Sequence, residues 1–203
     1  MPETIFWDED TQVDFIMPGG KLYIQGAEKI IPNLEALTRH ARAHGIPILG
    51  SVDYHTLSDA EISVKPDFRT TYPPHCLQGT PGQEKIPATA PLNPLWVESR
   101  RYDPEALHRE IAAHRGEIIF RKQSLDVFSN PNVETVLEWL APDRIVVYGV
   151  ALDVCDAYVI EGLLSRKIGE IVLARDASHP IRPEEGERLV ARWRERGVDV
   201  RTT

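Results

Sequence analysis

Asp53 and His55 end an apolar run, Ile46-Pro-Ile-Leu-Gly-Ser-Val52, and a second imidazole, His75, returns inside Tyr72-Pro-Pro-His-Cys-Leu-Gln-Gly-Thr-Pro-Gly82. Residues two apart in an extended chain project to the same side, so Asp53 and His55 share a face. One carboxylate and two imidazoles suit zinc, iron or manganese, and leave positions open for water or substrate. That is the layout of a catalytic metal site rather than a closed structural one. Taken singly, His55 and His75 are ordinary loop histidines; their combination is what points to a metal.

A second group has the chemistry of a nucleophile. Cys155 lies in Val146-Val-Tyr-Gly-Val-Ala-Leu-Asp-Val-Cys-Asp-Ala-Tyr158. A thiol just after a strand-to-helix switch feels the positive end of the helix dipole, which favours thiolate. The N–H groups of such a turn can hold an oxyanion. Equally, a cysteine there is often a small buried hydrophobe. Lys122 closes an apolar run and Asp10 follows another. Each alone reads as a surface charge or a turn residue. Together, a thiol, a cation and a carboxylate make a nucleophile, a group to hold its anion and a base for its proton.

These residues need a frame that brings them to one place. Thr4-Ile-Phe-Trp7 reads as a strand, and Ile30, Leu34, Leu37 and Ala41 fall on one helical face ending near Gly45. Further strands are expected at 46–52, 117–121, 144–148, 171–174 and 198–201. Helices are expected over 104–115, from about 132 to 140, from the turn after Gly149 through Cys155 to Arg166, and from near Pro183. Alternating strands and helices predict an α/β fold, a three-layer α/β/α domain over 1–203 with a six-stranded, mostly parallel sheet of Rossmann-like topology. Sites in such sheets sit beyond the carboxyl ends of the strands. Asp10, Asp53, Lys122 and Cys155 all follow a predicted strand. Residues 55–104 hold eight prolines, and a connection of that length inside a compact domain usually carries function.

Composition removes several classes. The formal charge of −8 disfavours nucleic acid, because phosphate binding needs a basic surface. The apolar runs are far too short to span a membrane. The N-terminus shows no basic segment followed by an apolar one, and two cysteines do not make a disulfide scaffold, so a cytoplasmic location is expected. No Gly-rich phosphate fingerprint follows the first strand, which argues against a nucleotide cofactor. Cys76 reads as loop packing, and His40, His44, His108, His114 and His179 as surface or loop histidines.

Five blocks, in order and spread over essentially the whole chain, resemble the isochorismatase-like cysteine hydrolases, and among them most closely the nicotinamidases. They are Asp10-Thr-Gln-Val-Asp-Phe-Ile-Met-Pro-Gly-Gly20, Asp53-Tyr-His55, Pro74-His-Cys-Leu-Gln-Gly-Thr80, Arg121-Lys-Gln-Ser-Leu-Asp-Val-Phe128 and Gly149-Val-Ala-Leu-Asp-Val-Cys155. The resemblance implies Cys155 as nucleophile, Asp10 as general base and Lys122 as the third member of a triad. It implies Asp53, His55 and His75 as ligands of a divalent metal, zinc first and iron or manganese next, with Glu61 or Asp59 as an additional carboxylate. It also implies a cis peptide at Val150-Ala151, an oxyanion hole from the N–H groups of Ala151 and Cys155, and Phe15 and Tyr72 flanking a planar substrate. The implied partner is a small-molecule amide, and the implied assembly a homo-oligomer.

Tyr54 and Tyr72 stand where the family usually carries Trp, Thr56 to Ser58 replaces a His-Pro opening, and Leu152 replaces a common Thr. The expected activity is hydrolysis of a small primary amide, nicotinamide foremost, within pyridine nucleotide metabolism. A carbamoyl or ureido substrate, a vinyl ether hydrolase needing no thiol, and a silent metal-binding member are the alternatives.

Overall fold

The computed structural model describes residues 2–203. In chain order its elements are β1 (Thr4–Glu9), α1 (Val13–Ile16), α2 (Ile31–His44), β2 (Ile48–Asp53), β3 (Leu95–Val97), α3 (Pro104–Ala113) and β4 (Ile118–Lys122). There follow α4 (Val133–Leu140), β5 (Arg144–Val150), α5 (Cys155–Arg166), β6 (Glu170–His179), α6 (Pro183–Glu195) and β7 (Asp199–Arg201).

The strands form one sheet in the order β3-β4-β2-β1-β5-β6-β7, every pair parallel. The expectation of six strands is corrected to seven. The addition is β3, three residues from the Pro-rich connection that pair with β4 at the sheet edge. Leu-Trp-Val is too short to show a period, and the prolines around it hide it. Strand β6 is also longer than its apolar core, running on through Arg175 to His179 past a register shift opposite Val147 and Gly149.

Parallel strands are covered on both faces, and their residues divide accordingly. Ile5, Trp7, Leu49, Phe120, Ile145 and Val147 face α3 to α6, with Trp7 stacked on Phe120 at 5.8 Å. Phe6, Ile48, Tyr148 and Val150 face α1 and α2 on the other side. Helix α2 stops where expected, at Gly45 in the left-handed region (φ +64°). Gly149 is required for a second reason. A Cβ there would lie 2.0 Å from the carbonyl oxygen of Glu9, so only glycine lets β5 approach the end of β1.

Chain progression reverses between β1 and β5, which makes their carboxyl ends the switch point where a crevice opens. Asp10 follows β1 and Cys155 lies five residues beyond the end of β5, while Asp53 and Lys122 are the last residues of β2 and β4. No helix among the described residues is long and apolar enough to cross a membrane.

Candidate active site

The strand ends deliver the residues, and short polar contacts fix them. Asp10, at φ +46°, turns the chain out of β1 and is fully buried. Its Oδ1 accepts from Ser51 Oγ at 2.7 Å, and its Oδ2 lies 2.7 Å from Lys122 Nζ. The same ammonium contacts Asp53 Oδ1. Lys122 has no exposed surface, so it is not the surface charge that a strand-end lysine usually is. Burial would lower its pKa, but Asp10 and Asp53 outweigh that and hold it charged. Asp53 is the mirror case: burial pushes its carboxyl up, and Lys122 and the two imidazoles bring it well below the usual range.

Cys155 opens α5 and is buried at the pocket floor. A carboxylate oxygen of Asp10, one of Glu9 and the Cys155 sulfur lie within 4.8 Å of one another. Burial pushes the thiol well above its ordinary value, Lys122 pulls it down, and Asp10, Asp53 and Glu9 push it up again. The one nearby cation is already shared between two carboxylates, so a base must remove the proton.

The Val150-Ala151 peptide is cis. Ala151 and Cys155 both line the pocket, and around them the N–H groups of Leu152, Val154 and Asp156 donate to backbone carbonyls instead.

Beside the thiol lies the second group. Single ligand atoms of Asp53, His55, Glu61 and His75 all fall within 4.8 Å of one another, and all four residues are buried. His55 Nε2 and Glu61 Oε1 have no hydrogen-bond partner among the described residues. Burial first, and then the Asp53 charge, push the Glu61 carboxyl up to about 7. Two carboxylates and two imidazoles with unspent lone pairs form a set that a divalent cation would satisfy. Asp59 does not join them. It accepts from Thr56 N–H at 2.8 Å and lies 3.3 Å from His55 Nδ1, where it orients the ring. His75 Nδ1 lies 2.8 Å from the Pro73 carbonyl.

The scaffold of this group comes from the first block of the sequence. Gln12 brackets Asp53, donating to its carbonyl at 2.8 Å and accepting its N–H at 2.7 Å. Asp14 accepts the Cys76 N–H at 2.7 Å, which anchors the loop carrying His75. Cys76 is loop packing, its sulfur 3.8 Å from the Gly82 carbonyl. Phe15 and Tyr72 both line the pocket, with ring centroids 5.4 and 6.3 Å from His75. Sequence reasoning missed Glu9, Ser51 and Asp156, all buried close to Cys155 or Asp10. The one signal for Glu9 was its alternation with Trp7 on a strand with a buried face.

A family model described as the isochorismatase domain matches residues 9–104 and 99–203. The chain belongs to the isochorismatase family. Its fold is shared with the pyrazinamidase of Pyrococcus horikoshii in complex with zinc, at a TM-score of 0.76 and 25% identity over 100% of both chains. It is also shared with a nicotinamidase/pyrazinamidase from Bacillus subtilis, at a TM-score of 0.75 and 21% identity over 98% of this chain and 99% of that one. An N-carbamoylsarcosine amidase from Arthrobacter is 25% identical over 156 residues, 76% of this chain and 52% of that protein, so the match spans about half of that relative's length. The family is one of hydrolases that act on small molecules, amides among them.

Proposed function

We propose that this protein is a cysteine amidohydrolase for a small ring-bearing primary amide, nicotinamide being the first to test. The observation that carries it is that Cys155 lines an apolar pocket with the buried Asp10–Lys122 pair close behind it, next to four side chains that could hold a metal.

In this mechanism Asp10 takes the thiol proton as substrate enters, while Lys122 keeps the base anionic until then. The sulfur attacks the amide carbon, and the displaced electron pair rests on the carbonyl oxygen, held by the N–H groups of Ala151 and Cys155. Asp10 returns its proton to the departing nitrogen, and ammonia leaves a thioester. Asp10 next deprotonates a water that attacks the thioester, and the acid departs as the thiol regains its proton. Asp53, His55 and His75, with Glu61 as a fourth, would hold the metal, zinc, iron or manganese. When bound, such an ion supplies an electrophilic anchor for a ring nitrogen. Phe15 and Tyr72 would flank the ring and orient it for attack.

The pocket walls favour such a ring over a carbamoyl amino acid. Among the described residues no Arg or Lys lines the pocket, and nearby Arg182 is already paired with Asp153 at 3.0 Å. A substrate carboxylate would find no cationic side chain lining the pocket. The cavity itself is about 30 Å³, room for about one water. The family resemblance makes a homo-oligomer the expected assembly.

Ammonia release by metal-replete protein tests this, with nicotinamide and N-carbamoylsarcosine compared by kcat/KM and Cys155→Ala alongside. Release from nicotinamide that vanishes with Cys155 supports the proposal. Preference for the carbamoyl substrate would move the protein to that activity with the same machinery. Release that survives in Cys155→Ala would sink the thiol mechanism.

A further inference from the structure

Glu9, the last residue of β1, has no part in the chemistry above, yet it is fully buried against the reacting groups. One of its oxygens lies in the set with Asp10 and Cys155 whose atoms are within 4.8 Å of one another. Its Oε2 accepts from Trp7 Nε1 at 2.7 Å, and its Oε1 has no hydrogen-bond partner among the described residues. The titratable groups facing it are Asp10 beside it, Lys122 from β4 and Cys155 from α5, and the Ser51 hydroxyl of β2 lies close to its carboxyl.

Lys122 already serves two carboxylates, so a third anion here would be buried without a counter-charge. Burial first, and Asp10 second, push the Glu9 carboxyl well above the usual carboxylate range against the pull of Lys122. A neutral carboxyl keeps a proton to donate. Ser51 spends its single proton on Asp10 Oδ1, which leaves its lone pairs to accept one.

We propose that Glu9 is a positioning residue for the cysteine chemistry, a neutral acid that donates to Ser51 and through it fixes the Asp10 carboxylate beside the Cys155 sulfur. No proton leaves Glu9 in turnover; the chain of two hydrogen bonds sets the place of the base. The inference rests on the amidase proposal for its turnover test only.

Three measurements on the metal-replete full chain test it. Infrared difference spectra at neutral pH should show a protonated-carboxyl band that Glu9→Gln removes. Glu9→Gln keeps an acceptor for Trp7 and a donor for Ser51, whereas Glu9→Met keeps the length and loses both. The kcat for ammonia release and the rate of Cys155 alkylation, which needs no amide, should then follow one order. Gln stays within about twofold of the parent and Met falls about tenfold or more, with KM unchanged. Alkylation in that order without ammonia release would remove the amidase proposal and leave the role of Glu9 standing. A missing band, or a Met variant as fast as the Gln variant, would overturn the inference. If the Met variant does not fold, the pH profile decides. Ionised Glu9 puts a second negative charge beside the sulfur, so the parent loses kcat for ammonia release at high pH and Glu9→Gln does not. Identical profiles would overturn it.

Discussion

Lys122 Nζ lies 2.7 Å from Asp10 Oδ2 with both side chains fully buried, and the same ammonium contacts Asp53. One cation thus joins the proposed base of the cysteine group to a carboxylate of the proposed metal-holding group. Neither half of the site is electrostatically independent of the other.

Removing that cation leaves two buried carboxylates facing each other. Lys122→Met should lose amidase activity and destabilise the fold by about 3–5 kcal/mol, the usual consequence of breaking a buried pair. Denaturant unfolding measures it. A variant as stable as the parent would mean that Lys122 does not compensate the charges of Asp10 and Asp53.

Cys155→Ala should lower ammonia release by about a thousandfold or more with little change in melting temperature, because the lost sulfur is small. In the parent, iodoacetamide labelling of Cys155 in the free enzyme should rise only above the ordinary thiol range of about 8.5, since burial holds the proton on. Mass spectrometry across pH reads this directly. Rapid labelling at low pH would show that the resting sulfur is already a thiolate.

Chelation should cost stability if the four-residue cluster holds an ion. A ligand at a hundredfold excess over its dissociation constant stabilises by about 2.7 kcal/mol. For a chain of this size EDTA should therefore lower the melting temperature by about 5–10 °C. His55→Ala should abolish the response to added zinc, and Glu61→Gln should only reduce it. An unchanged melting curve on chelation would count against a tightly held ion.

Asp156 offers a pH test away from the metal ligands. Fully buried beside Ser178, its carboxyl is pushed up by burial first, with Asp10 and Asp153 adding, to about 8. A raised folded pKa favours the neutral form, so its contribution is full below the unfolded value of about 3.9. That contribution is lost as pH rises through about 8. Asp156→Asn cannot ionise, and should be more stable than the parent by at least about 1 kcal/mol near pH 9, with a smaller gap near pH 5. Denaturation midpoints at both pH values check it. Parallel curves would place the ionisation of Asp156 elsewhere.

The site was legible wherever a residue follows an apolar run. Asp10, Asp53, Lys122 and Cys155 each close or follow such a run, and period alone places them at one edge of a parallel sheet. Glu61 and Asp59 could not be told apart, because both lie in an irregular loop whose path no period describes. Glu9 looked like one acid among several in Asp8-Glu-Asp10, since nothing local says which of them loses its water. The short strand β3 escaped for a similar reason: its partner β4, and not its own three residues, makes it a strand.

Residue types and order by themselves determined the α/β alternation, the helix that ends at Gly45, and the two chemical groups, thiol with base and carboxylate with imidazoles. Only the tertiary structure decided that one lysine bridges the two groups, that Glu61 rather than Asp59 lies with Asp53, His55 and His75, and that Cys155 is buried. Charge state and partnership depend on distance and desolvation, and both are set by chain segments far apart in sequence.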